Sequence, residues 1–175
     1  MNDQLHISPA GIALEKKYEK GPAVSCPFGF APRAYRCDAG KPTIGWGHVI
    51  TAKDAFFHTS LIDADMADFL LRADNVRFED GIRSLVKVPL AQHEFDALVS
   101  LTLNIGIGKA DGVAGDFADS TLLRKLNAND RRGAADEFLK WNKYRDPSCG
   151  CLKVANGLIA RRADERAMFL GVGHV

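Results

Sequence analysis

Glu19, Cys37, Asp38 and Thr43 are the residues of this 175-residue chain whose types and spacing invite a chemical reading. A glutamate at the end of a helix donates a proton at neutral pH only when its surroundings desolvate it and raise its pKa. Most glutamates so placed are solvated, and position alone favours that reading for Glu19 and for its competitor Glu15, one turn earlier. Cys37 and Asp38 stand side by side before a predicted turn in "RAYRCDAGKPTIGWGH" (residues 33–48), and Thr43 carries a hydroxyl to the same turn. Strand alternation turns adjacent side chains to opposite sides, so Cys37 and Asp38 do not share one environment. An ordinary thiol, with a pKa of about 8.5, is mostly neutral at pH 7 and a poor replacement for a carboxylate.

The elements that must position these residues are legible. Ser8-Pro9 supplies a cap and a first-turn proline for a helix running to about Lys20. Residues 21–33 hold three prolines and two glycines and form no regular element. "AYRC" and "TIGWGHVI" then flank a turn at residues 38–41 as two antiparallel strands. In the second strand Gly45 and Gly47 would share one face, where the missing side chains point to close approach by a ligand or another backbone. Residues 61–85 are amphipathic at helical spacing, and "QHEFDALVSLTLNIG" is an apolar helix stopped by Gly106. "DSTLLRKLNAND" and "DRRGAADEFLKWN" read as short capped helices, and "NGLIARRADERAMFLG" as a last helix closed by Gly171. Within it Arg162 interrupts an apolar stripe with Leu158 and Ile159. A buried Arg162 requires a carboxylate from elsewhere in the chain, whereas Arg161 can point to water. The fold class is α+β, mostly helical, with one small sheet near the N-terminus.

Composition excludes several functions. A net charge of +1 does not support nucleic-acid binding through whole-molecule attraction. The charge is uneven, however: residues 51–100 carry nine acids against five Lys/Arg, and residues 123–166 carry eleven Lys/Arg against six acids. No stretch approaches the ~18 apolar residues of a membrane span, and no secretory signal is visible. Synthesis in a cytosol with reduced thiols is the expectation. The four cysteines are too scattered for a disulfide scaffold, and the "CGC" at 149–151 is poorly spaced for zinc. A bridge from Cys26 to Cys149 or Cys151 is one arrangement open to the chain in an oxidising compartment.

In order and over nearly the whole chain, these segments resemble the phage-type, T4-like lysozymes, muramidases of glycoside hydrolase family 24. "GIALEKKYEKG" is similar to the family's catalytic helix, and "AYRCDAGKPTIGWGH" to its hairpin, with tyrosine, glycine, threonine and histidine at the family's spacing. The later helices match in register. The resemblance implies a two-lobed lysozyme-like domain over residues 1–175. Its small N-terminal hairpin lobe covers about 12–62, a connecting helix about 63–85 and a helical lobe about 86–175. It implies Glu19 as general acid, Thr43 as holder of the attacking water, and Tyr35, Asn104 and Arg162 as substrate-binding or supporting residues. His48 and Asp74 become a structural pair.

The family's second carboxylate falls, by count from Tyr35, Gly40 and Thr43, on Cys37, with Asp38 as the alternative. Cysteine is an accepted variant there. The spacing from Glu19 to Cys37 is longer than the family's commonest pattern, so residues 21–33 form an insertion beside the cleft. The expected reaction is inverting hydrolysis of the β-1,4 bond between N-acetylmuramic acid and N-acetylglucosamine, with no metal or cofactor. Inversion leaves roughly 6.5–9.5 Å between two catalytic carboxylates for a water. The expected partner is the peptidoglycan glycan strand, met by a monomer with no nucleic acid or stable membrane insertion, on the wall side after release from the cytoplasm. The rival is a muramidase-like domain that binds glycan with little or no cutting.

Overall fold

The computed structural model describes residues 2–37, 40–112 and 115–172. The chain divides into two compact units, one spanning Glu15–Val76 and the other combining Met1–Leu14 with Arg77–Val175. The divisions fall inside two helices, α1 (Pro9–Tyr18) and α2 (Ala64–Leu85).

The Glu15–Val76 unit is built on a three-stranded antiparallel sheet of β1 (Ala31–Arg36), β2 (Pro42–Gly45) and β3 (His48–Val49), in that order. Tyr35 pairs with Thr43, and Thr43 with Val49, so the hairpin centres on Thr43. Phe30, Ile44, Ile50, Phe57, Ile62, Ala67 and Leu70 form its core, against which Ala34 and Trp46 pack. A 3-10 turn at Ala55–His58 delivers Phe57 to this core.

"TIGWGHVI" is not the single strand expected from its sequence. Ile44 pairs with His48, and the chain reverses through Gly45-Trp46-Gly47. Both glycines have positive φ, +64° and +103°, which L side chains rarely adopt, and such three-residue hairpin loops rely on that freedom. They do not share a face. A Cβ on Gly45 would stand 3.5 Å from Ala67 Cα, whereas Gly47 faces the Glu19 carboxylate.

The second unit contains α3 (Gln92–Ile105), α4 (Thr121–Asn127), α5 (Arg131–Phe138) and α6 (Asn156–Phe169). Helix α3 is buried from Glu94 to Thr102 and stops at Gly106, whose φ is +84°. Ser120 and Asp130 cap α4 and α5 by accepting from the Leu123 and Gly133 N–H groups, as their residue types predict. Phe138 and Phe169 pack with ring centroids 5.3 Å apart and planes tilted by 48°, joining α5 to α6. One element is unforeseen: residues following α5 form a hairpin of β4 (Lys143–Arg145) and β5 (Leu152–Val154). A Cys149–Cys151 disulfide closes its turn. That replaces the bridge to Cys26 considered above, and neither Cys26 nor Cys37 is disulfide-bonded. Among the described residues no helix is long and apolar enough to cross a membrane.

Candidate active site

The site is assembled within the Glu15–Val76 unit. The Glu19 N–H donates to the Glu15 carbonyl at 2.8 Å, extending the helical pattern one residue past α1. This places Glu19, half-buried, on a pocket of about 310 Å³ that it shares with Tyr35, Cys37, Thr43 and Gly47. Glu15 is fully buried and accepts from Asn75 Nδ2 at 2.6 Å, away from the pocket lining. Of the two glutamates left open by the sequence, Glu19 alone lines the pocket. A Cβ on Gly47 would lie 4.0 Å from Glu19 Oε2, an ordinary contact, so it is the φ of +103° rather than lack of space that favours glycine beside that carboxylate.

Thr43 forms the floor, only 3% exposed. Its hydroxyl donates to the Lys41 carbonyl at 3.1 Å, so its proton is committed and its lone pairs remain to accept. The same carbonyl accepts the Cys37 N–H at 3.0 Å, and the Gly40 N–H donates to the Cys37 carbonyl at 2.7 Å. Positions 37 and 43 are therefore tied through one main-chain oxygen. The half-buried Cys37 lines the pocket. Asp38, the alternative to Cys37, lies outside the described residues.

Residues 21–33 contribute more than their composition indicated. Gly21 and Pro22 line the pocket, and a Cβ on Gly21 would fall 2.3 Å from Cys26 Sγ and 3.1 Å from the Tyr35 hydroxyl. Gly21 must therefore be small. Burial pushes the Cys26 thiol up in pKa, opposed by hydrogen bonds with the Tyr35 side chain and the Gly21 backbone. Cys26 is thus a neutral prop for Tyr35. Sequence reasoning missed this role, and the Gly-Pro directly after Glu19-Lys20 was the available signal.

His48 is clasped from both sides. Its Nδ1 lies 3.0 Å from Asp74 Oδ2, and its Nε2 lies 2.7 Å from Asp54 Oδ2. Asp54, which the sequence did not single out, also accepts from the Thr51 N–H and hydroxyl. Burial lowers the His48 pKa, but the two carboxylates outweigh it and hold the net value above 6.5. For Asp54, burial raises the pKa and the bonds to His48 and Thr51 bring it down from 3.8 to about 2.

The signs set a pH window. The His48 contribution to stability is full below its ordinary pKa of 6.5 and is lost as pH rises through its raised value. The Asp54 contribution is full above 3.8 and is lost as pH falls towards 2. The stability advantage of the native chain over a His48→Gln variant is accordingly expected to peak between about pH 4 and 6.5 and shrink on either side. Urea denaturation across pH checks this, and a difference independent of pH would remove charge from the account.

The remaining candidates lie in the helical unit. Asn104 is exposed near the C-terminal end of α3. Arg162 is 0% exposed, with Nε 2.8 Å from Glu165 Oε2 and Nη2 2.9 Å from Oε1. A partner thus comes from its own helix, at i+3, where the sequence reading looked only elsewhere in the chain. Arg161 does not point to water. It is 4% exposed, bonds Glu165 Oε1 at 3.0 Å and donates to the Ser100 carbonyl at 3.0 Å. Burial raises the Glu165 pKa against the pull of Arg162 and Arg161.

Comparison with known proteins places these features in context. The family model described as Phage lysozyme matches residues 28–165, a stretch that begins after Glu19. The chain is 36% identical over 165 residues to an endolysin of Acyrthosiphon pisum secondary endosymbiont phage 1, covering 94% of this chain and 98% of that one. It is 38% identical over 168 residues to the endolysin of Salmonella phage P22, covering 95% and 99%. Among solved structures it is similar to the endolysin from Escherichia coli O157:H7 phage FAHEc1, with a TM-score of 0.79, 32% identity and 98% coverage of both chains.

Proposed function

The chain belongs to the phage lysozyme family, and on that premise we propose that it degrades peptidoglycan as an inverting muramidase with Glu19 as its general acid. Endolysin relatives aligned over nearly their whole length make it a glycoside hydrolase of the bacterial wall. The observation that carries the mechanism is one pocket holding a half-buried carboxylate and a hydroxyl whose proton is already committed.

Glu19 protonates the glycosidic oxygen as the bond to the anomeric carbon breaks. A water on the other side of the sugar donates one hydrogen to Thr43 Oγ1, which has lone pairs to receive it. The water's own lone pair is then directed at the anomeric carbon. As the new bond forms its proton passes to the surrounding bulk water, since among the described residues no second carboxylate lines the pocket to take it. Cys37 helps orient that water. The enzyme acts as a monomer on wall glycan after leaving the cytoplasm and uses no nucleic acid. The family's spacing alone assigns supporting roles to Arg162 and Asn104, and His48 with Asp74 steadies the hairpin.

Clearing of purified cell walls tests the activity, and NMR of the first-formed reducing ends tests the stereochemistry. Inversion of a β-glycoside yields the α-anomer first. Initial release of the β-anomer would replace the water-attack scheme with a covalent one. The thiol at position 37 favours one other reading, a domain that holds glycan without cutting it, and walls that bind the protein but do not clear would establish it.

Position 37 gives a graded prediction. Cys37→Ser lowers activity without abolishing it, and Cys37→Asp preserves or raises it, because a carboxylate can accept the water's proton whereas a neutral thiol can only orient the water. Initial clearing rates check both. A harmless Cys37→Ala beside an inactive Asp38→Asn would transfer the role to Asp38.

A further inference from the structure

We propose that a groove lined by Phe28, Trp46 and Leu61 is a second glycan-binding subsite, distinct from the Glu19 pocket; this rests on the peptidoglycan reading above. The groove encloses about 630 Å³, twice the catalytic pocket, and lies wholly within the Glu15–Val76 unit. Phe28 is 72% exposed and Leu61 66%, large apolar side chains left in water at its rim. Phe28, Phe30 and Trp46 form a chain of rings with centroids 6.0 and 5.7 Å apart.

The indole is held in place before any ligand arrives. Trp46 Nε1 donates to Asp68 Oδ1 at 2.9 Å, and Lys16 Nζ bonds Asp68 Oδ2 at 2.5 Å while standing 5.2 Å over the ring. Gly29, at φ +88°, lets the insertion backbone run flush with the indole edge, since a Cβ there would come within 3.1 Å of it. Such preorganisation reduces the ordering cost of binding.

The chemistry matches a sugar better than a lipid or an apolar helix. A pyranose offers a C–H face that packs on aromatic rings and a rim of hydroxyls that donate to carboxylates. Asp63 stands on the lining with Oδ1 accepting from the Met66 N–H, and its Oδ2 has no partner among the described residues. A purely apolar occupant would bury that carboxylate edge unpaired.

Continuity with the catalytic pocket supports the same occupant. Trp46 lines the groove while its neighbour Gly47 lines the pocket beside Glu19. Residues 21–33 likewise supply Gly21 and Pro22 to one and Phe28, Phe30 and Pro32 to the other. Glycan held in the groove keeps the enzyme on the wall and raises the effective concentration of bonds to be cut.

The test uses the full chain carrying Glu19→Gln, titrated with a β-1,4-linked N-acetylglucosamine tetramer and followed by NMR. The Trp46 indole N–H reports the groove, the Val49 amide reports the pocket, and the Trp141 indole serves as reference. Saturable movement of Trp46 is expected, weakened at least about five-fold by joint Phe28→Ala and Leu61→Ala while the Val49 midpoint holds. Both substituted side chains are exposed, so the fold tolerates their loss. A silent Trp46, or one that follows the Val49 midpoint and ignores the substitutions, overturns the groove. If the unsubstituted enzyme still clears walls in that case, only the groove has failed; if it does not, the muramidase reading fails with it.

Discussion

Glu19→Gln is expected to lower wall hydrolysis by about 10²–10⁴-fold, the usual contribution of a general acid, with little change in the denaturation midpoint. The amide keeps the size and the hydrogen-bonding edge of the carboxylate but has no acidic proton to give the leaving oxygen. The residue is half-buried and lies one position past α1, outside the buried cores of both units. Glu15→Gln supplies the contrast. Glu15 is fully buried and bound by Asn75, so its amide perturbs stability first and activity only as a consequence. Clearing rates normalised to folded protein separate the two, and a Glu19→Gln enzyme with half its activity would end the assignment.

Arg162→Ala is expected to cost about 3–5 kcal/mol of stability, because it leaves a buried charge without one of its partners. Glu165 is fully buried and is shared by Arg161, Arg162 and the Ser100 hydroxyl, the last donating at 2.8 Å. Removing one guanidinium also opens a cavity where a fully buried side chain stood. Urea denaturation measures the loss. A cost below about 1 kcal/mol would mean that Arg161 alone satisfies Glu165 and that Arg162 has no structural role there.

The helices and their ends were readable because each signal is local. Ser120 and Asp130 announce caps by residue type, Gly106 announces a stop, and the apolar run of α3 announces burial. What the sequence hid depends on side-chain pairings and backbone signs that no residue pattern specifies. Arg161 and Arg162 look like one outward and one inward residue on a helical wheel, yet Ser100 and Glu165 draw both inside. "TIGWGHVI" reads as one strand because alternation survives in its residue types, and only backbone sign at Gly45 and Gly47 reveals the reversal. The Asp54 contact with His48 had no sequence signal beyond an aspartate six residues downstream. The pocket residues were reachable only because motif spacing carried them, whereas Cys26 and Gly21 sit in an insertion that no spacing rule covers.

The Lys41 carbonyl that accepts from both the Cys37 amide and the Thr43 hydroxyl has an evolutionary consequence. The distance between the two positions is written in main-chain atoms, which every residue type except proline reproduces at position 37. Side-chain identity there is decoupled from hairpin geometry, so a lineage can exchange thiol, hydroxyl and carboxylate at that point without rebuilding the turn. Position 43 has no such latitude, because its own hydroxyl is one of the two ties. Libraries randomised at both positions should therefore return a broad spectrum at 37 and almost none at 43, making the hairpin a place where catalytic chemistry drifts while its frame is inherited unchanged.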